Sequence, residues 1–133
     1  MNAKKLIMAA LAAALLPLLQ TVHAQTGGFR WFGPLGRVIT PNGDQKNDFA
    51  FFCFDNFSDS GVSGKIYTLL GSEVASMAHV RAALPGCAAN GGTLPQHASW
   101  DGTAQGVRVR SGVYVYRIEA EGKSYAGTLV VVR

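Results

Sequence analysis

The chain predicts an all-β domain, a β-sandwich or small barrel of about seven short antiparallel strands, behind an N-terminal leader. Three observations carry this. Short apolar runs recur between turn signals, with 16 glycines in 133 residues. No long stretch has the 3.6-residue period of an amphipathic helix. From Val113 to Ala120 the residues Tyr114, Tyr116, Ile118 and Ala120 share one parity and Arg117 and Glu119 the other, the period of a half-buried strand. Many short strands with regular turns between them point to a sandwich or barrel.

Met1 to Ala24 predicts a secretory signal peptide. Lys4 and Lys5 precede the apolar run Leu6 to Leu19, and Val22-His23-Ala24 supplies small residues at the exit. The run is short for a membrane span, and no transmembrane segment is expected after cleavage. Cleavage leaves 109 residues, enough for one core. Without Lys4 and Lys5, 10 basic residues face 8 acidic ones, a net charge of +2. The basic residues are scattered, so no nucleic-acid stripe is expected. The expected location is secreted, periplasmic or at the cell surface.

Gln25 to Gly36 mixes Gly27, Gly28, Gly33, Pro34 and Gly36 with Phe29, Trp31 and Phe32. Glycine and proline at that density predict an irregular lead-in whose aromatics pack on the domain's flank. Arg37 to Ile39 predicts a short strand, followed by a polar loop from Thr40 to Asp48. Phe49 to Phe54, with four phenylalanines on both parities, predicts a central strand covered on both faces. Val62 to Leu70 and Glu73 to Met77 predict a hairpin about Gly71-Ser72. Ala78 to Ala98 shows little alternation, and a helical turn is expected near His79 to Leu84. Trp100 stands before the Asp101-Gly102 turn as an apolar plug. Tyr125 to Val132, apolar on both parities near its end, predicts a strand covered on both sides.

Cys53 and Cys87 are the only cysteines. In an oxidising compartment an even count favours a disulfide. It would close a 34-residue separation, worth about 3.5–4 kcal/mol in the chain-entropy model, and pin the middle of the irregular stretch to the phenylalanine-rich strand. Two separately buried thiols are the alternative.

Three motifs carry a resemblance. Thr40-Pro-Asn-Gly-Asp-Gln-Lys-Asn-Asp48 resembles the PNGDGxND loop of gliding-motility-associated C-terminal domains. Ile66 to Val74, IYTLLGSEV, resembles the VYDLxGxxV hairpin of the Ig-like domain in flagellar hook-capping proteins. Trp100-Asp101-Gly102-Thr103, Gly106 and Ser111 to Ile118 are similar to the ending of both, as is Gly127 to Arg133. The resemblance spans Val38 to Arg133. It implies an Ig-like β-sandwich over residues 37–133, without catalytic activity, in an exported protein. Some such domains act as sorting signals across the outer membrane, and the hook-capping version belongs to an assembly scaffold.

Candidate chemistry is sparse. Asn42, Asp44, Asn47 and Asp48 gather hard oxygens of the kind calcium takes, yet lack EF-hand spacing; the other reading is a turn bonded to itself. Trp100 beside Asp101 is open to a sugar-stacking reading, though a core plug before a turn is the ordinary one. Zinc would need His79 and His97 with Cys87 or a nearby acid, and the disulfide claims that cysteine first. No Gly-x-Ser-x-Gly elbow is present, and no enzyme is expected. Three functions stay open: an exported module binding an envelope or extracellular protein, a sorting or anchoring domain, and a small calcium- or glycan-binding module.

Overall fold

The computed structural model of the chain describes residues 28–87 and 94–133. The leader expected over residues 1–24 lies outside the described residues. Those residues are all-β: β1 (Phe29–Pro34), β2 (Val38–Ile39), β3 (Ala50–Asn56), β4 (Val62–Thr68), β5 (Glu73–Ser76), β6 (Ala78–Val80), β7 (Pro95–Trp100), β8 (Thr103–Ala104), β9 (Val107–Arg108), β10 (Gly112–Ala120) and β11 (Lys123–Val131). None of them forms a helix long and apolar enough to cross a membrane. The expectation of about seven strands undercounts, because β1, β6 and β7 arise in stretches that read as irregular and β8 and β9 are two residues each.

One sheet has the order β1-β3-β7-β6, a second β2-β11-β10-β4-β5, and β8 pairs with β9 alone. Aromatic side chains from both sheets meet in one core. The Phe52 ring lies 4.7 Å from Tyr116, Phe29 5.5 Å from Tyr125, and Trp31 6.0 Å from Tyr116. Two sheets facing each other across such a core are consistent with a β-sandwich. The expected alternation of β10 holds: Tyr114, Tyr116, Ile118 and Ala120 are buried while Arg117 and Glu119 are exposed. β3 is central and buried along nearly its whole length.

Five expectations need correction. The aromatic lead-in does not lie on the flank: Phe29 to Pro34 form β1, paired with β3, Phe29 belongs to the core and the half-buried Trp31 packs against it. Their one-apart spacing is strand spacing, masked by the glycines around it. No helical turn occurs at His79 to Leu84. The chain crosses between sheets at Met77, and Ala78 to Val80 pair with β7 as the edge strand β6, which satisfies in a ladder the backbone groups that face β7. The Ala78–Ala98 stretch is likewise not all loop, since β7 starts at Pro95; its neighbours β3 and β6 override the weak strand propensity of Gln96, His97 and Ala98. β11 is covered on one face only: Leu129 and Val131 are buried, while Val130 stays 36% exposed. Finally, the strands are not all antiparallel. β2 runs parallel to β11, because the chain leaves β1 and crosses to the second sheet without reversing.

The Cys53–Cys87 disulfide is present, with Cα atoms 5.6 Å apart. Cys53 lies on the face of β3 away from the core, opposite His97 of β7. His97 Nδ1 donates to the Ala82 carbonyl at 2.9 Å, and its ring meets Phe51 edge-on. The segment from Arg81 to Cys87 therefore lies over the outer face of the first sheet, tied there at Ala82 and Cys87.

Gly127 sits directly across from Tyr116. A Cβ at Gly127 would collide with the Tyr116 hydroxyl and ring. The close approach of that ring to the β11 backbone explains the glycine.

Candidate interaction edge

The structure brings Asn42, Asp44, Asn47 and Asp48 together as a turn closed by its own hydrogen bonds. Asp48 Oδ1 accepts from the N–H groups of Asn42 at 2.9 Å and Gly43 at 2.8 Å, and Oδ2 accepts from Gln45 N–H at 2.7 Å. Asp44 Oδ1 accepts from Lys46 N–H at 2.9 Å, and Oδ2 accepts from Asn42 Nδ2 at 3.2 Å. Asn47 contributes its carbonyl, which accepts from Thr40 N–H at 2.7 Å. Gln45 and Asn47 take left-handed backbone, φ 67° and 53°, which folds the N–H groups inward around Asp48. The loop thereby fixes how the chain passes from β2 to β3. Among the described residues, no group of three or more His, Cys, Asp and Glu side chains is placed to hold a metal ion.

Trp100 ends β7 with its ring 3% exposed and 5.8 Å from Tyr114, and Nε1 donates to the Thr103 carbonyl at 2.8 Å. Asp101 Oδ1 accepts from both the N–H and the hydroxyl of Thr103. An open depression of about 490 Å³ runs past Ser99, Trp100, Asp101 and Thr103 to Glu73, but Trp100, buried and packed on Tyr114, leaves almost no indole surface open to it.

His79 and His97 are not brought together as a pair of ligands. His97 faces Ala82, as above, and His79 joins a polar network that the sequence did not announce. Gln96 Nε2 donates to Asp59 Oδ1 at 2.9 Å, leaving Gln96 Oε1 to accept from Asn56 Nδ2 at 2.9 Å and from His79 Nε2 at 2.7 Å. His79 Nε2 therefore carries its proton. Asn56 is fully buried and also exchanges hydrogen bonds with Ser60. No buried side-chain polar atom among the described residues is left without a partner, so this network orders one end of the first sheet.

Three carboxylates are held below their usual range. Asp48 is lowered first by the Gly43 N–H, then by those of Gln45 and Asn42. Asp59 is lowered first by the Gln96 amide, then by Arg81. Glu121 is lowered first by Phe29 N–H, then by the Ser60 hydroxyl. A carboxylate whose folded value lies below its unfolded one stabilises the fold above the unfolded value, about 3.9–4.3, and loses that contribution as pH falls through the folded one. Urea midpoints are therefore expected to drop below about pH 4, and Asp48→Asn is expected to show a shallower drop. Superimposable acid limbs for the two proteins would contradict this.

The remaining feature is the edge of the second sheet. β11 pairs with β10 along its full length, but on its other side β2 meets only Val130 and Val131. Val130 N–H donates to the Arg37 carbonyl at 2.7 Å and Val132 N–H to the Ile39 carbonyl at 2.9 Å, so the even-numbered residues turn their backbone groups away from β10. By the same alternation Ser124, Ala126 and Thr128 aim N–H and C=O outward. Among the described residues no strand lies against them. Beside this edge, Val113, Val130 and Val38 are cross-strand neighbours on the outer face, exposed by 42%, 36% and 52%. Apolar side chains in a row next to unpaired backbone are what an added strand would meet. The sequence marked β11 as a strand and Arg37 to Ile39 as a short one; that the short strand pairs with the end of β11, leaving half its edge bare, was not readable from it.

Compared with known proteins, the chain matches no family model, no curated protein and no solved structure.

Proposed function

We propose that this chain is an exported, non-catalytic Ig-like module that binds a protein of the cell envelope or extracellular space by adding a strand to β11. The strand order supports the Ig-like reading. β1-β3-β7-β6 facing β2-β11-β10-β4-β5 corresponds to an ABED sheet facing a GFC sheet, extended by β2 and β5. Near the start of β10, which stands where strand F does, Tyr114 Oη donates to the Arg110 carbonyl at 2.7 Å, as the corner tyrosine of such domains does. One departure is plain: Cys53 bonds to a segment outside the core, whereas an antibody-type disulfide joins strands B and F across it.

The binding role is carried by one observation, the bare half of the β11 edge from Ser124 to Thr128. Most aromatic side chains of both sheets are spent on the core, and the carboxylates of the 40–48 loop mainly on its own backbone, which leaves edges and outer faces to meet a partner. A photoreactive residue at Thr128 is expected to capture a protein in the native envelope, and the same residue at Ser72, on the opposite edge's hairpin, is not. Capture from Ser72 alone, or from neither position, would overturn the edge reading.

A further inference from the structure

We propose that the bare half of β11 pairs with the same segment of a second copy of this chain, antiparallel and centred on Ala126. This inference rests on the strand-addition role proposed above and names the partner.

The first observation is a contrast among edges. Natural sheets guard their edges with bulges, proline, charge or shortness. β1 carries a register shift between Trp31 and Gly33 and ends at Pro34. β5 is four residues long, its register shifts opposite Ile66 and Tyr67, and Glu73 holds Lys65 at 3.1 Å. β6 is three residues long and runs into Arg81, ion-paired with Asp59. β2 is two residues long. β11 has none of these devices. It is nine residues long, its register with β10 is unbroken, and no proline or charge lies between Ser124 and Val132. Charge appears only at its two ends, Lys123 and Arg133.

The second observation is that the bare window matches itself. It runs from the turn at Glu121-Gly122 to the first residue covered by β2, so Ser124, Ala126 and Thr128 are the outward-facing positions and Ala126 is its midpoint. A two-fold axis there sets Ala126 against Ala126 and Ser124 against Thr128, twice. All three have small, uncharged side chains, and a Ser–Thr pair across strands is favourable. The outward backbone groups then make about six new hydrogen bonds. On the inner side, Tyr125 of each copy falls opposite Gly127 of the other, where no side chain has to be displaced. The two Lys123 side chains end about 20 Å apart at strand rise, beyond the screening length at physiological salt. The whole window is thus used by both copies at once, and no like charges meet.

Analytical ultracentrifugation of the oxidised protein over a rising concentration series tests this. The mass is expected to climb from one copy to two. Ala126→Lys and Ala126→Glu are each expected to need at least about tenfold more protein to dimerise, since each sets like charges directly opposite. An equimolar mixture of the two is expected to dimerise as the parent does, because Ala126 faces its own counterpart. Ala126 is exposed and on the outer face, and unchanged urea midpoints show that both variants fold. If either does not, Ala126→Cys serves instead: mild oxidation is expected to trap a covalent dimer, and Glu119→Cys is expected not to. Dimers indifferent to charge at position 126, or no trapped dimer, would overturn self-pairing. A monomer at every concentration that is still captured by another protein through Thr128 would overturn self-pairing alone. A monomer with no capture would overturn the binding edge as well.

Discussion

Replacing Trp100 with alanine is expected to lower stability by about 3–5 kcal/mol, the usual cost of emptying a large aromatic site. The indole is 3% exposed, packs on Tyr114, and satisfies the Thr103 carbonyl through Nε1. Alanine would leave a cavity and an unpaired carbonyl together. Phenylalanine keeps most of the packing and loses the hydrogen bond and part of the ring volume, so Trp100→Phe is expected to cost less, about 1–3 kcal/mol. Urea unfolding of the three proteins gives both differences directly. A tryptophan kept for stacking on a ligand would behave otherwise: its removal would shift the unfolding midpoint little. A loss under about 0.5 kcal/mol in Trp100→Ala would remove this residue from the core and reopen the sugar-binding reading.

The second large effect is expected from the disulfide. Cys53→Ala with Cys87→Ala should cost about 3.5–4 kcal/mol through the freed chain entropy of the unfolded state. For a domain of this size that lowers the melting temperature by roughly 15–25 °C. Local behaviour should change too. Without the bond, the segment over the outer face of the first sheet is held by the His97–Ala82 hydrogen bond and the exposed Arg81–Asp59 ion pair. Trypsin is then expected to cut after the exposed Arg81 much faster than in the oxidised protein. Equal cleavage rates and equal midpoints would mean that the bond neither stabilises the fold nor holds that segment.

What the sequence revealed and what it hid have physical causes. β10 was legible because one face is buried and the other wet, which writes a period of two into Tyr114 to Ala120. β3 was legible because both its faces are covered, by the core and by the segment carrying Cys87, and a doubly covered strand is apolar throughout. β7 was hidden because its core face holds Gln96 and Ala98: the glutamine is buried only because Asn56, Asp59 and His79 satisfy its amide. Such a position looks like surface in one dimension. β1 was hidden by its glycines, and β6 by its length. The candidate edge was half legible. Tyr125 to Val132 announced a strand, but its apolar end reflects contact with β2 rather than cover on both faces, and which stretch of a strand lacks a neighbour depends on where a distant segment stops. The polar loop from Thr40 to Asp48 was legible as a turn, and its hydrogen bonds follow the local patterns Asp and Asn favour.

Residue-resolved amide exchange tests most directly whether the β11 edge is a place for an added strand. In a dilute monomer, the N–H groups of Ala126 and Thr128 are expected to exchange orders of magnitude faster than those of Tyr125, Gly127 and Leu129, although all lie within one strand. The slow set points at β10 and the fast set at solvent. At concentrations or with partners that occupy the edge, the fast set alone is expected to slow. Uniformly slow exchange from Tyr125 to Leu129 in the dilute monomer would mean that the edge is already covered, and uniformly fast exchange that the strand is not formed; either result would contradict an open edge on β11.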